Sequence, residues 1–353
     1  MKERLATAVG IALLLAAAAR AQGARKATKL AEGVYAIEHG DANDGFASGN
    51  TTVIVGERQV LVVDSGFLPS AAREDIAQIR EWTDKPVTFL VNTHFHNDHN
   101  LGNRVYMDAF PGLTIIAHAE TKKEMDLFGP GSAAREERGN AAFRQMLDTG
   151  KTKDGRPITA DERTELETAL KHRVPVVEEL KRMRFQSATL TFEHELAVDL
   201  GNRDVEIRFL GRGNTAGDAV VYLPKERIAA VGDLVVHPIP YIYDGYPSEW
   251  ARTLENLGRL GAETMIPGHG EVLHGTAYVF LLRDLLKSAV DQMNLKLKQT
   301  GPAMFRNLDE VKGAVDLAAF RQRFAGTDKD LGDAFDDMAV HLVKVAFEEA
   351  CLR

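Results

Sequence analysis

The chain has 353 residues, 44% hydrophobic and 27% charged, with a net charge of −8 and one cysteine, Cys351. That is ample apolar material for one large or two modest cored domains, and a single cysteine excludes an intrachain disulfide framework. The acidic balance argues against nucleic acid as a partner, because phosphates need Lys and Arg to neutralise them.

Met1-Lys2-Glu3-Arg4, the apolar run of residues 5–19 and Ala19-Arg20-Ala21 have the layout of a secretory signal peptide cleaved after Ala21. An uncleaved membrane anchor is the alternative, although the run is short of the roughly 20 residues that span a bilayer. The expectation is a periplasmic or secreted protein with no stable membrane anchor. Loss of Lys2, Arg4, Arg20 and Glu3 would leave a charge of about −10.

Residues 33–37, 50–56, 60–63 and 86–91 read as short strands bounded by glycine and polar turns. Such a succession suits an antiparallel or mixed sheet with one apolar face. Between the last two, Ala72, Ile76, Ile79 and Trp82 recur at helical spacing. Asp64 closes the third strand, either as a turn aspartate or as a group of a functional site.

The most informative stretch follows: Asn92-Thr93-His94-Phe95-His96-Asn97-Asp98-His99. Imidazole and carboxylate are the ligands of zinc and related divalent ions. On an extended strand end His94 and His96 point the same way; a turn after them would aim Asp98 and His99 at a second, neighbouring position. This is the pattern of a metal site.

Residues 113–118 form a further strand ending at His118, which either neighbours the site or, as the preferred reading, is a satisfied structural histidine. Residues 120–186 are charge-rich, poor in β-branched runs and broken at Gly129-Pro130-Gly131 and around 150–157. Thr159 to Glu162 looks like a capping box opening a helix to about His172. The segment reads as a helical insertion, too long for a plain loop, covering a site mouth or standing as a solvated appendage. Strands resume at 188–192, 205–210, 219–223 and 228–234. A glycine-rich loop, Gly211-Arg212-Gly213-Asn214-Thr215-Ala216-Gly217-Asp218, separates the second and third of these, and Gly232-Asp233 lies in the fourth. A helix over 248–260 leads to Pro267-Gly268-His269-Gly270. From 278 to 351 two amphipathic helices carry Val279, Leu282, Leu286 and Val290, then Met338, Leu342, Val345 and Phe347. They would pack on the core or on a second subunit of a homo-oligomer.

The order of these pieces resembles the H-x-H-x-D-H signature and later ligand loops of the metallo-β-lactamase superfamily, over about residues 30–275. The resemblance implies an α/β (α+β) class fold, the four-layer αβ/βα sandwich. It would occupy residues 22–275, with the insertion at about 120–186 and residues 276–353 as a helical extension packed on the core. It also implies a ligand set: His94, His96 and Asn214 at one metal, Asp98, His99 and His269 at the other, and Asp233 between them. Asp98 and Asp233 would be the catalytic carboxylates, with Asp64 beside the metals in a supporting role. Asn214 stands where the family has a histidine. A neutral amide is a poorer zinc donor, so a tight zinc at Asp98/His99/His269 and a weaker one beside Asn214 are expected, one or two per chain.

The implied function is a metal-dependent hydrolase using metal-bound hydroxide on a small ester, lactone or β-lactam-type cyclic amide; sulfate esters are a further candidate. His237, Tyr241 and Tyr243 either line the substrate pocket or form a rigid loop. The alternatives from other classes are an iron-dependent oxidoreductase and a non-catalytic metal-binding protein.

Overall fold

Side chains alternate between the two faces of a strand. In strand β2 (Val34–Glu38) this sends Val34 and Ala36 into one core and Ile37 into another. The same division runs through the molecule, a computed structural model that describes residues 25–40, 46, 48–243, 245–301, 311 and 313–351. The expected signal peptide at residues 1–21 lies outside the described residues. Among those described, no helix is long and apolar enough to cross a membrane.

One sheet has seven strands in sequence order, β1 (Lys26–Ala31), β2, β3 (Thr51–Val55), β4 (Val60–Val63), β5 (Val87–Val91), β6 (Thr114–His118) and β7 (Leu190–Phe192). Pairing is antiparallel from β1 to β4 and parallel from β4 to β7. The second sheet is ordered β13 (Leu273–His274), β12 (Thr264–His269), β11 (Ile228–Val236), β10 (Ala219–Leu223), β9 (Asp204–Phe209), β8 (Glu195–Asp199), and only its β11–β12 pair is parallel. Leu61, Val63, Val91 and Ile116 of the first sheet meet Ile207, Val221, Ala230 and Ile266 of the second in the central core.

Helices cover both outer faces. α1 (Pro69–Trp82), α2 (Asn97–Asn100), α3 (Asn103–Ala109) and α4 (Ala119–Phe128) accompany the first sheet. Ile76 and Ile79 of α1 pack against Val62 and Leu90 there. The insertion continues as α5 (Ser132–Thr149) and α6 (Ala160–Arg182). On the second sheet lie α7 (Pro247–Arg259), α8 (Ala277–Thr300), α9 (Ala318–Ala325) and α10 (Lys329–Cys351). Trp250 and Leu254 of α7, Leu282 and Leu286 of α8 and Phe335 and Leu342 of α10 share one core with Val220 and Val231. The result is the expected αβ/βα sandwich with C-terminal helices.

Several elements differ from the sequence expectation: among the described residues the C-terminal stretch holds three helices rather than two, and the short β13 was not expected. α6 opens on the expected capping box at Thr159 and Glu162 but runs to Arg182, through Pro175. Val176, Val177 and Leu180 continue the buried stripe begun by Leu166 and Ala169, and that burial outweighs the local cost of the proline. β1 and β8 are strands that alternation did not announce, because their residues are mostly exposed or half-buried, with charged residues among them.

One polar side chain ties these layers together. Asp75, on the buried face of α1, accepts from Arg25 Nη2 (2.9 Å) and Thr51 Oγ1 (2.9 Å), and lies 3.1 Å from His39 Nε2. Burial opposes its ionisation, but His39 and Arg25 prevail and hold the carboxyl below its usual range. Asp75→Ala would strand these partners and is expected to cost about 3 kcal/mol in denaturant unfolding. The lowered value fixes the pH window. The contribution is complete above the unfolded value of about 4 and is lost as pH falls through the folded value. Wild type and mutant should therefore converge in stability in acid.

Candidate metal centre

β4 and β5 are parallel neighbours, so the residues just past their carboxyl ends, Asp64 and Thr93, emerge side by side. Asp64 takes a left-handed backbone conformation (φ 60°), which aspartate tolerates better than most residues. Its Oδ1 accepts from Thr93 N (2.8 Å). Its Oδ2 accepts from Thr93 Oγ1 (2.7 Å) and His99 Nδ1 (2.9 Å). Thr93 Oγ1 in turn lies 3.0 Å from His94 Nδ1. With both Nδ1 atoms donating outward, the Nε2 lone pairs of His94 and His99 face inward, the arrangement a metal ligand needs. The turn between them is fixed by its own side chains: Asn100 Nδ2 donates to the carbonyls of Phe95 and His96, and Asn92 Nδ2 to that of His99.

Two groups of donors result. His94, His96 and Asp233 form one; Asp98, His99 and His269 form the other; within each, the donor atoms lie within 4.8 Å of one another. His94 Nε2 is 3.0 Å from His96 Nδ1 and 3.6 Å from Asp233 Oδ2. His99 Nε2 is 3.2 Å from His269 Nε2 and 3.3 Å from Asp233 Oδ1, and Asp98 Oδ2 is 2.9 Å from His269 Nε2. Asp233, from β11, thus turns one oxygen to each group. Its close approach requires glycine nearby, since a Cβ at Gly268 would fall 1.9 Å from Asp233 Oδ1. Asn50 holds that loop in place by donating to the carbonyls of Pro267 and Gly270.

Burial pushes His94 well below its ordinary pKa, and its neighbour His99 adds to this. Burial works against protonation of His99 and His269 too, yet Asp98 and Asp233 raise both. The carboxyls of Asp98 and Asp233 are lowered in spite of burial, through His99 above all. Two carboxylates and four imidazoles in a buried space call for a cation. Asp233 Oδ1 and Asn214 Oδ1 are both buried without a hydrogen-bond partner, as is His269 Nδ1. The imidazole and carboxylate set fits zinc or a related divalent ion.

Asn214 sits at the edge of the first group, its Nδ2 3.4 Å from Asp233 Oδ2. A half-turn of the amide would present Oδ1 instead. Its loop is held by Asp218, which accepts from Gly213 N (3.0 Å), Thr215 N (2.9 Å) and Thr215 Oγ1 (2.8 Å). Burial pushes the Asp218 carboxyl up to about 6, against those hydrogen bonds.

The three residues expected at the pocket divide. Tyr241 stands beside the site, its ring 5.1 Å from that of His269, and the exposed Tyr243 lies 5.3 Å from His341 of α10. His237 packs its ring on Tyr278 of α8 (5.0 Å), and its backbone N–H donates to the His269 carbonyl. His118 is structural: Nδ1 accepts from Glu120 N, and Nε2 is 2.9 Å from the Glu193 carbonyl. Sequence reading passed over Thr93, although it stands inside the histidine motif, and Asn50, for which no local signal exists.

A sandwich of two sheets with two groups of metal-ligating side chains drawn from both sheets defines a metal-binding αβ/βα protein. The chain belongs to the metallo-β-lactamase superfamily, whose sequence model matches residues 44–269. It is 22% identical over 249 residues to a linear primary-alkylsulfatase of Pseudomonas sp. (strain ATCC 19151), covering 65% of this chain and 43% of that protein. Against a type 2 metallo-β-lactamase of Bacillus cereus it is 38% identical over 81 residues, 21% of this chain and 32% of the other. The chain thus spans less than half the length of these curated relatives. Among solved structures, FIM-1 from Pseudomonas aeruginosa in its mono-zinc form superposes with a TM-score of 0.53 at 16% identity, over 76% of this chain and 97% of that one. A metallo-β-lactamase from Pontibacter korlensis gives 0.51 at 17%, over 74% and 99%.

Asp64→Ala frees both His99 and Thr93 without removing a donor. Competition with a chelator should show zinc affinity falling about 10–100-fold, and unchanged affinity would contradict the orienting role.

Proposed function

We propose that the chain is an exported metallo-hydrolase that opens a small ester, lactone or β-lactam-type cyclic amide, with zinc as its metal. The observation that carries this reading is the Asp233 carboxylate, with Oδ2 toward His94 and Oδ1 toward His99 and His269. His94, His96, Asp233 and Asn214 would hold one ion; Asp98, His99, His269 and Asp233 the other. Such an ion lowers the pKa of its water to about 7 and polarises a carbonyl oxygen. The first group has one neutral amide where the second has a further carboxylate, so the second ion is bound more tightly.

The protein's own groups do the rest. Asp98 is the more exposed of the two site carboxylates, 19% against 3% for Asp233. Ionised and partly exposed, it is placed to take the proton of an attacking water. Asp233 keeps both donor groups in register, and Tyr241 walls the His269 side against which a substrate would lie. The alkylsulfatase relative adds sulfate esters to the substrates worth testing.

Zinc-loaded protein should be assayed on matched ester, lactone, β-lactam and sulfate-ester substrates. Hydrolysis of at least one is expected, lost on chelation, restored by zinc, and reduced at least about 100-fold in kcat by His96→Ala or His269→Ala. Turnover that survives both substitutions would contradict the reading, as would iron bound in place of zinc with no hydrolysis.

A further inference from the structure

The insertion is docked on the metal loop. Val176 and Leu180 of α6 share a buried cluster with Phe67 and with Leu101, the residue after α2. Ser132, at the start of α5, is fully buried, and its Oγ lies 3.0 Å from Asn97 Oδ1, one residue from Asp98. Arg135 Nη2 donates to the same Oγ at 3.5 Å.

Arg135 is half-buried, and no carboxylate pairs with it among the described residues. The adjoining acids are engaged elsewhere: Glu136 with Arg173 (3.0 Å), and Glu137 with Arg144 (3.0 Å) and Lys181 (3.1 Å). A half-buried guanidinium with no carboxylate partner keeps donors available to an incoming anion, and its planar fork suits a carboxylate or sulfate.

Next to it the same segment carries apolar surface. Phe128 is 41% and Leu127 70% exposed. The Phe128 ring lies 5.6 Å from that of Phe95, which is itself 4.7 Å from His96. The exposed Phe128, packed on the half-buried Phe95 beside His96, and Arg135, tied through Ser132 to the neighbouring Asn97, together make an amphipathic wall beside the metal centre.

We propose that residues 127–135 recognise the substrate, with Arg135 pairing to an anionic group and Phe128 with Phe95 packing against an apolar group of the same molecule. The substrate class is thereby narrowed to amphipathic anions. This rests on the hydrolase reading for its purpose, but binding tests it without turnover, so loss of one need not be loss of the other.

The test is calorimetric titration of the zinc-loaded protein with phenylacetate and with its neutral isostere phenylacetamide. Wild type should bind phenylacetate about tenfold more tightly, the scale of one charge-assisted hydrogen-bonded pair. Arg135→Gln should abolish that preference, Arg135→Lys should keep part of it, and Phe128→Ala should weaken both ligands alike. An unchanged phenylacetate Kd in Arg135→Gln would place the anion on the metals alone and overturn the proposal. So would equal affinity for the two ligands in wild type, or no binding of phenylacetate at millimolar concentration.

Discussion

The carboxylate of Asp64 accepts hydrogen bonds from Thr93 N, Thr93 Oγ1 and His99 Nδ1 at 2.7–2.9 Å, and through Thr93 it reaches His94 as well. One buried group therefore sets the direction of an imidazole in each of the two donor groups. His99 could not turn without breaking its buried hydrogen bond to the Asp64 carboxylate, nor His94 without losing the Thr93 hydroxyl that the same carboxylate holds. That is why the donors converge on the centre. The strained backbone at Asp64 is the local cost of this arrangement.

The fold supplies the placement. Parallel pairing of β4 with β5 brings Asp64 against Thr93, and parallel pairing of β11 with β12 sets Gly232 against Pro267, which places Asp233 beside Gly268 and within reach of His269. Each sheet so contributes one pair, and the central core holds the two sheets at a fixed spacing. The flanks of the site come from outside this frame: Phe128 and Ser132 from the insertion on one side, Tyr241 and Tyr243, with His341 of α10, on the other.

Much of this was legible in the residues. Histidine and aspartate packed into His94–His99 announce a metal at any distance from the fold, and the αβ/βα architecture followed from the resemblance that this motif and the later loops carried. What was not legible depends on long-range pairing. The resemblance put Asp64 beside the metals, but its local sequence is that of any turn aspartate, and only the β4–β5 register makes Thr93 and His99 its partners. Asn50 donates to residues more than two hundred positions away. The helix opened by the capping box extends past His172 to Arg182 because Val176, Val177 and Leu180 are buried against other elements, which the local sequence does not show. β1 and β8 escaped notice because edge strands expose both faces and lose their alternation.

At the centre is a claim of inequality: one shared carboxylate between a well-furnished metal position and one weakened by Asn214. Zinc-edge anomalous diffraction from crystals grown with about one equivalent of zinc tests it directly. A strong peak bounded by Asp98, His99 and His269, with a weak or absent one beside His94, His96 and Asn214, is the predicted result. A dominant peak on the His94 side, or two of equal height at that loading, would contradict it.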